Sequence, residues 1–209
     1  MRTSSFIPIS IPIVAGMVLC PPTQAFTIFW QIMNQSYMAG LNIGNANEAS
    51  GSQGNGQLMK AYCMATGTAI SVACSLRLMT PYLLKGRTGG IAAFMNYFIG
   101  YSAVASSSAI NVYAMRKNEI ETGVSVKDEA TGEDLGLSSE AAKQGINKTI
   151  IARVIHNIPA FLVPAIWNLF LQRNGLMPKR MGPTRLTLEL MGMAMGLYIA
   201  MPLNCALYP

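Results

Sequence analysis

The sequence has little charge. Charged residues make up 11% of its 209 residues, and only nine of them are acidic. Soluble domains carry about a quarter of their residues as charged side chains. An ordinary soluble domain is therefore excluded, and the 51% hydrophobic share points to a bilayer as the solvent of this chain.

The side chains that most catalytic and metal sites need are rare or scattered. The sequence has one histidine and four cysteines, and the cysteines have no metal-ligand spacing. It has no phosphate-binding loop and no activated nucleophile, so we predict neither an enzyme nor a cofactor or metal site. No basic cluster is interleaved with stacking aromatics, so nucleic acid is not an expected partner. The cysteines lie in apolar runs and are predicted to be buried thiols: Cys20, Cys63, Cys74 and Cys205.

Targeting signals are not evident in the first residues. Residues 1–5 are too brief for the charged start of a signal peptide, and residues 19–21 make a poor cleavage site. An Arg-rich amphipathic presequence is lacking as well. We therefore expect no cleaved leader and an internal targeting signal.

The charge that is present separates five uncharged runs: residues 3–47, 61–76, 88–115, 154–172 and 190–209. Four of them are at or near the roughly 20 residues that a helix needs to cross a bilayer. We predict an all-α membrane protein in contact with membrane lipids, with one domain over residues 1–209 and about five transmembrane helices. The expected spans are residues 25–41, 59–78, 91–115, 154–172 and 188–208.

A short apolar segment precedes these spans. Ile7–Leu19 contains Pro8 and Pro12, and its roughly 13 residues are too few to cross a bilayer. It is expected to be re-entrant or interfacial, or else the first half of a broken span. Thr23 should cap the helix that follows, and the glycines and asparagines of residues 44–57 predict a flexible loop.

Small residues mark the second and third predicted spans. Those of the second span should let a neighbouring helix approach closely, and they are Ala61, Ala65, Gly67, Ala69, Ser71, Ala73 and Ser75. Arg77 is expected to snorkel from an end of this span. In the third span Ser106, Ser107 and Ser108 should bond back to the preceding turn, although they could also line a ligand path.

One soluble loop is predicted at residues 116–153. Residues 124–132 indicate a short hairpin or ordered loop. Its acidic residues lack the spacing of a calcium loop and predict a solvated turn: Asp128, Glu129, Glu133 and Asp134. Ser138 and Ser139 should cap an amphipathic helix over residues 140–153 that lies on the membrane before the fourth span.

The segment of residues 29–47 is uncharged yet dense in amides: Gln31, Asn34, Gln35, Asn42, Asn45 and Asn47. Amides are costly in hydrocarbon unless they are hydrogen-bonded, and several recur at helical spacing. These amides either line a substrate path or a polar contact between helices, or they belong to the end of a helix that leaves the membrane. The candidate path residues are Asn34, Gln35, Ser36, Asn42, Ser107 and Asn111. His156 is expected to be hydrogen-bonded or wet near an interface, with a proton relay as the alternative.

The flanking charges predict an orientation. One side has eight Lys and Arg residues against one acid, and the other has seven against eight acids. The loops on the first side are shorter, so we place that side, with the N-terminus, inside and the C-terminus outside.

Several segments resemble the sideroflexins, five-span proteins of the mitochondrial inner membrane. The resembling segments are Phe29-Trp30-Gln31, Asn34-Gln35-Ser36-Tyr37, Ala39-Gly40-Leu41-Asn42, Gly44-Asn45, Asn111, Met115-Arg116, Glu119, Gly123, Val126, Asp128, Gly132, Leu135-Gly136, Ala141-Ala142-Lys143-Gln144, Arg153, Pro159, Pro164, Pro202 and Cys205-Ala206-Leu207-Tyr208-Pro209. The resemblance runs in order from about Phe6 to the last residue. It implies a mitochondrial inner-membrane protein with its N-terminus in the matrix and its C-terminus in the intermembrane space.

The sequence also departs from that family. Met1 stands only a few residues before the first apolar piece, where the family has a soluble segment with a His-Pro-Asp-Thr-Gly motif. We therefore expect a shortened and diverged member. Residues typical of the family are replaced at five places, by Met38, Ala46, Arg77, Ser108-Ala109 and Tyr113, and several polar groups are lost as a result.

Two functions from different classes follow from the resemblance. The first is transport of a small neutral amino acid such as serine across the inner membrane. The second is a non-transporting, structural subunit of a larger inner-membrane assembly such as a respiratory complex, with other inner-membrane subunits as partners. The replaced polar groups favour the second, because a substrate path needs such groups.

Overall fold

Helices dominate the computed structural model, which describes residues 6–45, 55–86, 89–128, 132–178, 180 and 182–207. The helices are α1 (Phe6–Leu19), α2 (Gln24–Asn45), α3 (Asn55–Leu84), α4 (Gly90–Thr122), α5 (Ser139–Arg173) and α6 (Pro183–Leu207). Strands β1 (Val124–Lys127) and β2 (Asp134–Ser138) form an antiparallel hairpin between α4 and α5. The helices α2 to α6 pack mainly against their neighbours in the chain, and α1 packs against α2, α4 and α6.

Two stretches of the described helices are long and apolar enough to cross a membrane. They are Gly56–Leu84, which makes up most of α3, and Ser139–Arg173, which is α5. This supports the helical membrane class that the composition predicts. The full set of five spans stays a prediction.

The helices are longer than the sequence predicts. Residues 55–57, expected in a loop, begin α3, and Pro81, expected after the second span, lies inside that helix. Residues 46–54 of the expected loop lie outside the described residues. The amphipathic segment of residues 140–153 and the fourth span are one helix, α5, of 35 residues. No proline interrupts α5 before Pro159, so the backbone continues where a surface helix and a separate span were predicted.

The hairpin confirms the ordered structure predicted from residue 124 onward, but its second strand, β2, lies after the predicted bounds of 124–132. Residues 129–131 lie outside the described residues. Asp134 holds the hairpin together, since its carboxylate accepts hydrogen bonds from Ser125 Oγ at 3.0 Å and from the Gly136 amide at 3.0 Å. Ser138 then caps α5, as predicted, by accepting from the Ala141 amide at 3.2 Å. Glu129 lies outside the described residues. At the other predicted cap, Thr23 Oγ1 accepts from the Phe26 amide at 3.3 Å.

Helix α1 is packed into the bundle rather than laid against it. Its residues Ile13, Val14, Met17 and Val18 are buried in the main apolar core with residues of α4, α5 and α6. Gly16 makes this packing close, because a Cβ at that position would lie 2.1 Å from the ring of Trp30 in α2. An interfacial helix on the surface of the bundle does not fit this burial, whereas a re-entrant piece and the first half of a broken span both do, and the choice between these two stays a prediction.

Alanines of α3 are buried where this helix packs against its neighbours in the bundle. These alanines recur at four-residue spacing and are completely or almost completely buried: Ala61, Ala65, Ala69 and Ala73. Ala73 packs with Ile99 and Ala103 of α4. The close approach that small residues predicted is therefore confirmed for the alanines.

On the opposite face of α3, the small residues are not covered by a neighbouring helix of the described chain. Gly67, Ser71 and Ser75 are exposed at the surface of the described chain. Cys63, predicted to be a buried thiol, is exposed on the same face, whereas Cys20 and Cys74 are half-buried and free. The side chain of Cys205 is outside the described residues. An apolar neighbourhood in sequence does not decide burial, because a lipid-facing helix surface is apolar too.

Candidate functional site

The amides of α2 make a buried polar contact with α4. Gln35 Nε2 donates to Ser107 Oγ at 2.7 Å, and both side chains are buried. Ser107 Oγ in turn donates to the Val104 carbonyl at 3.0 Å, so the back-bonding predicted for the three serines is confirmed at Ser107. Gln35 and Ser107, 72 positions apart in sequence, are thus brought together, and the polar seam predicted between helices exists at this point.

Other candidate residues lie around this contact. One turn before Gln35, Gln31 is buried, and its Oε1 has no partner among the described residues. Asn34 is half-buried, and its Nδ2 is likewise unpartnered there. Ser36 is on the other side of the helix and bonds the Tyr62 hydroxyl of α3 at 3.0 Å.

Two more predicted path residues stand apart from this pair. Asn111 is half-buried on α4, one turn after Ser107, and makes an interaction of its own. Asn42 belongs to α2, but its side chain lies outside the described residues. Neither of the two described cavities is lined by the predicted path residues.

A polar cavity of about 290 Å³ lies at one end of the bundle. It forms where the end of α1 and the α1–α2 connection meet the start of α4, the end of α5 and the start of α6. Its polar lining comes from Asn96, Tyr97, Asn168, Gln172, Arg185 and Glu189. In the predicted orientation this is the inner end of the protein.

An ion pair forms one wall of the cavity. Arg185 Nε donates to Glu189 Oε1 at 2.9 Å, one helical turn apart on α6. Glu189 is only 3% exposed, and its other oxygen, Oε2, has no partner among the described residues. A buried carboxylate with an open lone pair is costly unless something else binds it.

Amides form the opposite wall. Asn168 Nδ2 donates to the Tyr97 hydroxyl, and both side chains are buried. Asn168 Oδ1 has no partner among the described residues. Asn96 Oδ1 accepts from Arg77 Nη1 at 3.2 Å, so Arg77 reaches across to α4 instead of extending from an end of α3.

A second cavity, of about 240 Å³, is apolar. It runs between α4 and α5 and is lined by Phe94, Tyr97, Phe98, Tyr101, Ile158, Phe161, Leu162 and Ala165. Such a lining suits hydrocarbon rather than a polar solute.

Comparison with protein families gives one match over the whole chain. The family model described as sideroflexins covers residues 1–209. The chain belongs to the sideroflexin family. It is 34% identical to a sideroflexin of Dictyostelium discoideum, with all of this chain and 62% of that protein aligned. It is also 34% identical to rat sideroflexin-5 and to human sideroflexin-3, with all of this chain and 60% and 61% of those proteins covered.

This sideroflexin therefore spans about three fifths of the length of these curated relatives. No solved structure matches it. The resemblance of the polar segments is thereby confirmed at the level of the family.

The polar residues that line the cavity of this sideroflexin were not predicted from the sequence. Arg185 and Glu189 were counted only among the charges that flank the predicted spans, whereas α6 begins at Pro183 and buries Glu189. A signal was available, because Glu189 precedes a 20-residue uncharged run without a break, and an acid at the edge of a predicted span is a site candidate by default. Asn168 was hidden inside the fourth span.

The histidine of this sideroflexin lies beside α6. His156 Nδ1 is 3.2 Å from the Ala200 carbonyl oxygen, and the ring is half-buried. A hydrogen-bonded histidine was predicted, and the contact confirms it. A proton relay through His156 stays a prediction.

Proposed function

We propose that this sideroflexin carries a small neutral amino acid, such as serine, across the mitochondrial inner membrane. One observation carries the proposal: polar and charged side chains line part of the cavity at the end of the bundle, and two of their atoms, Asn168 Oδ1 and Glu189 Oε2, have no hydrogen-bond partner among the described residues. Buried polar groups of this kind in membrane helices mark substrate paths.

The polar seam extends the proposed path toward the middle of the bundle. Gln35 lies about halfway along α2 and Ser107 about halfway along α4. Between the seam and the cavity lies the apolar core to which α1 contributes. Carrier action would then require this core to open on one side at a time, as in alternating access.

Reconstitution tests the proposal. The purified chain in proteoliposomes should accumulate labelled L-serine above the level of protein-free vesicles, with saturation and competition by unlabelled serine. A folded protein that gives no saturable uptake would contradict the carrier function.

A structural subunit is the second candidate, and the outer face of α3 favours it. Gly67 has no heavy atom within 4 Å of a Cβ placed there, and Ser71 and Ser75 continue this exposed face at four-residue spacing. Small residues so arranged let a partner helix approach. The native mass in mild detergent distinguishes the two: co-migration with a large respiratory assembly supports the subunit, and a monomer or small homo-oligomer supports the carrier.

A further inference from the structure

We propose that the cavity at the end of the bundle binds the charged end of a small α-amino acid as a zwitterion, with Glu189 receiving the ammonium group and Arg185 the carboxylate. The inference rests on the proposed carrier function and assigns its substrate site. The site differs from the seam of Gln35 and Ser107.

The unpartnered carboxylate oxygen identifies the first half of the ligand. Glu189 Oε2 is buried and has no donor among the described residues, while Oε1 already accepts from Arg185. Only a hydrogen-bond donor can satisfy this oxygen, and a cation satisfies it best, because charge-assisted hydrogen bonds are the strongest. An ammonium group supplies both the donor and the charge.

Arg185 identifies the second half. Its Nε is engaged by Glu189, and its terminal nitrogens bond no acceptor among the described residues. A guanidinium has five N–H donors in a fork that matches a carboxylate. An ammonium and a carboxylate on the same carbon atom can therefore pair with Glu189 and Arg185 at once, and the charge of the cavity stays balanced.

Asn168 and the cavity volume limit the rest of the ligand. Asn168 Oδ1 has no partner among the described residues, so a ligand hydroxyl can donate a hydrogen bond to it. A volume of about 290 Å³ is at the small end of ligand pockets. Both features fit a short polar side chain such as that of serine.

The test combines binding with transport on the full chain. Thermal stabilisation in detergent by L-serine measures binding, and uptake in proteoliposomes measures transport. Glycerate lacks the ammonium and ethanolamine lacks the carboxylate, so both should compete with serine roughly 10- to 100-fold more weakly. Glu189→Gln should weaken serine binding by a similar factor and reduce the preference for serine over glycerate.

The matched control is Glu140→Gln. Glu140 also pairs with a cation on its own helix, Lys143 at 3.8 Å, but both side chains are exposed and far along α5 from the cavity. This variant should bind serine as the unaltered chain does. Asn168→Ala leaves the ion pair intact and should also weaken serine binding. This second variant still tests the site if Glu189→Gln does not fold.

The outcomes separate the site from the function. If folded Glu189→Gln and Asn168→Ala bind serine like the unaltered chain, the assigned site is wrong, even if the chain transports serine. If the unaltered chain binds serine through these residues but does not transport it, the site stands and the carrier function fails. If it neither binds nor transports serine, both proposals are overturned.

Discussion

At the scale of single residues, the buried amide of Gln35 joins α2 to α4 through Ser107. Helical spacing of Gln31 and Gln35 was enough to predict a polar stripe on one helix. The partner, Ser107, lies on a helix that is not adjacent in sequence, and only the packing of the bundle chooses it. The buried ion pair was harder to find, because helix α6 begins earlier than the uncharged run suggests.

The contact between Gln35 and Ser107 leads to a prediction on stability. Ser107→Ala should leave the buried Gln35 amide without its acceptor and destabilise the protein in mild detergent. A double-mutant cycle with Gln35→Leu should give a coupling of about 0.6–1.7 kcal/mol, the range for hydrogen bonds between membrane helices. Ser106→Ala is the control, since Ser106 is only half-buried and has no hydrogen bond to another described residue. Zero coupling would show that the two side chains do not interact.

Asn34 allows the proposed path to be tested on α2. Its Nδ2 is buried and unpartnered among the described residues, so it is free to bond a passing solute. Asn34→Leu should abolish serine uptake while the protein stays folded. Met38→Leu, one turn further along and half-buried, should leave uptake unchanged because it exchanges one apolar side chain for another. Uptake by Asn34→Leu at the level of the unaltered chain would remove this residue from the path.

At the scale of helices, composition predicted the elements and their order but not their ends. Turn-forming residues such as Gly56 suggested a loop where α3 begins, and Pro81 suggested an end where the helix continues. A proline inside a membrane helix is tolerated when neighbouring helices satisfy the backbone groups that it leaves without a hydrogen bond. The close contacts at single glycines were not predicted, because they depend on which helix each glycine faces.

Gly196 provides a prediction on helix packing. A Cβ at this position would lie 2.6 Å from the Pro159 carbonyl oxygen of α5, a backbone atom that cannot rotate away. Gly196→Ala should therefore force α5 and α6 apart and destabilise the protein by about 1–3 kcal/mol, as overpacking does. Gly67→Ala is the control, because nothing lies within 4 Å of its Cβ and alanine is the better helix former. Equal stability of the two variants in thermal unfolding would contradict this packing.

At the scale of the whole molecule, the low charge and the uncharged runs predicted a helical membrane protein, and the bundle agrees with that class. The sequence did not predict that α1 would join the central core. Its 14 residues are apolar on most sides and have no clear stripe, so nothing in their pattern indicates which helices they contact. That placement matters for function, because it puts apolar packing between the polar cavity and the polar seam.

The orientation of the bundle is the last prediction. Helix α5 has 35 residues and extends about 52 Å, more than the roughly 30 Å of bilayer hydrocarbon, so the hairpin and the start of α6 should lie on opposite sides. In a cysteine-free background, Leu137→Cys and Thr184→Cys each add one thiol at an exposed position. An impermeant maleimide added to mitoplasts should label the first directly and the second only after permeabilisation. Labelling of both thiols from one side would contradict a membrane-spanning α5, and the reverse pattern would invert the orientation that the short basic loops predict.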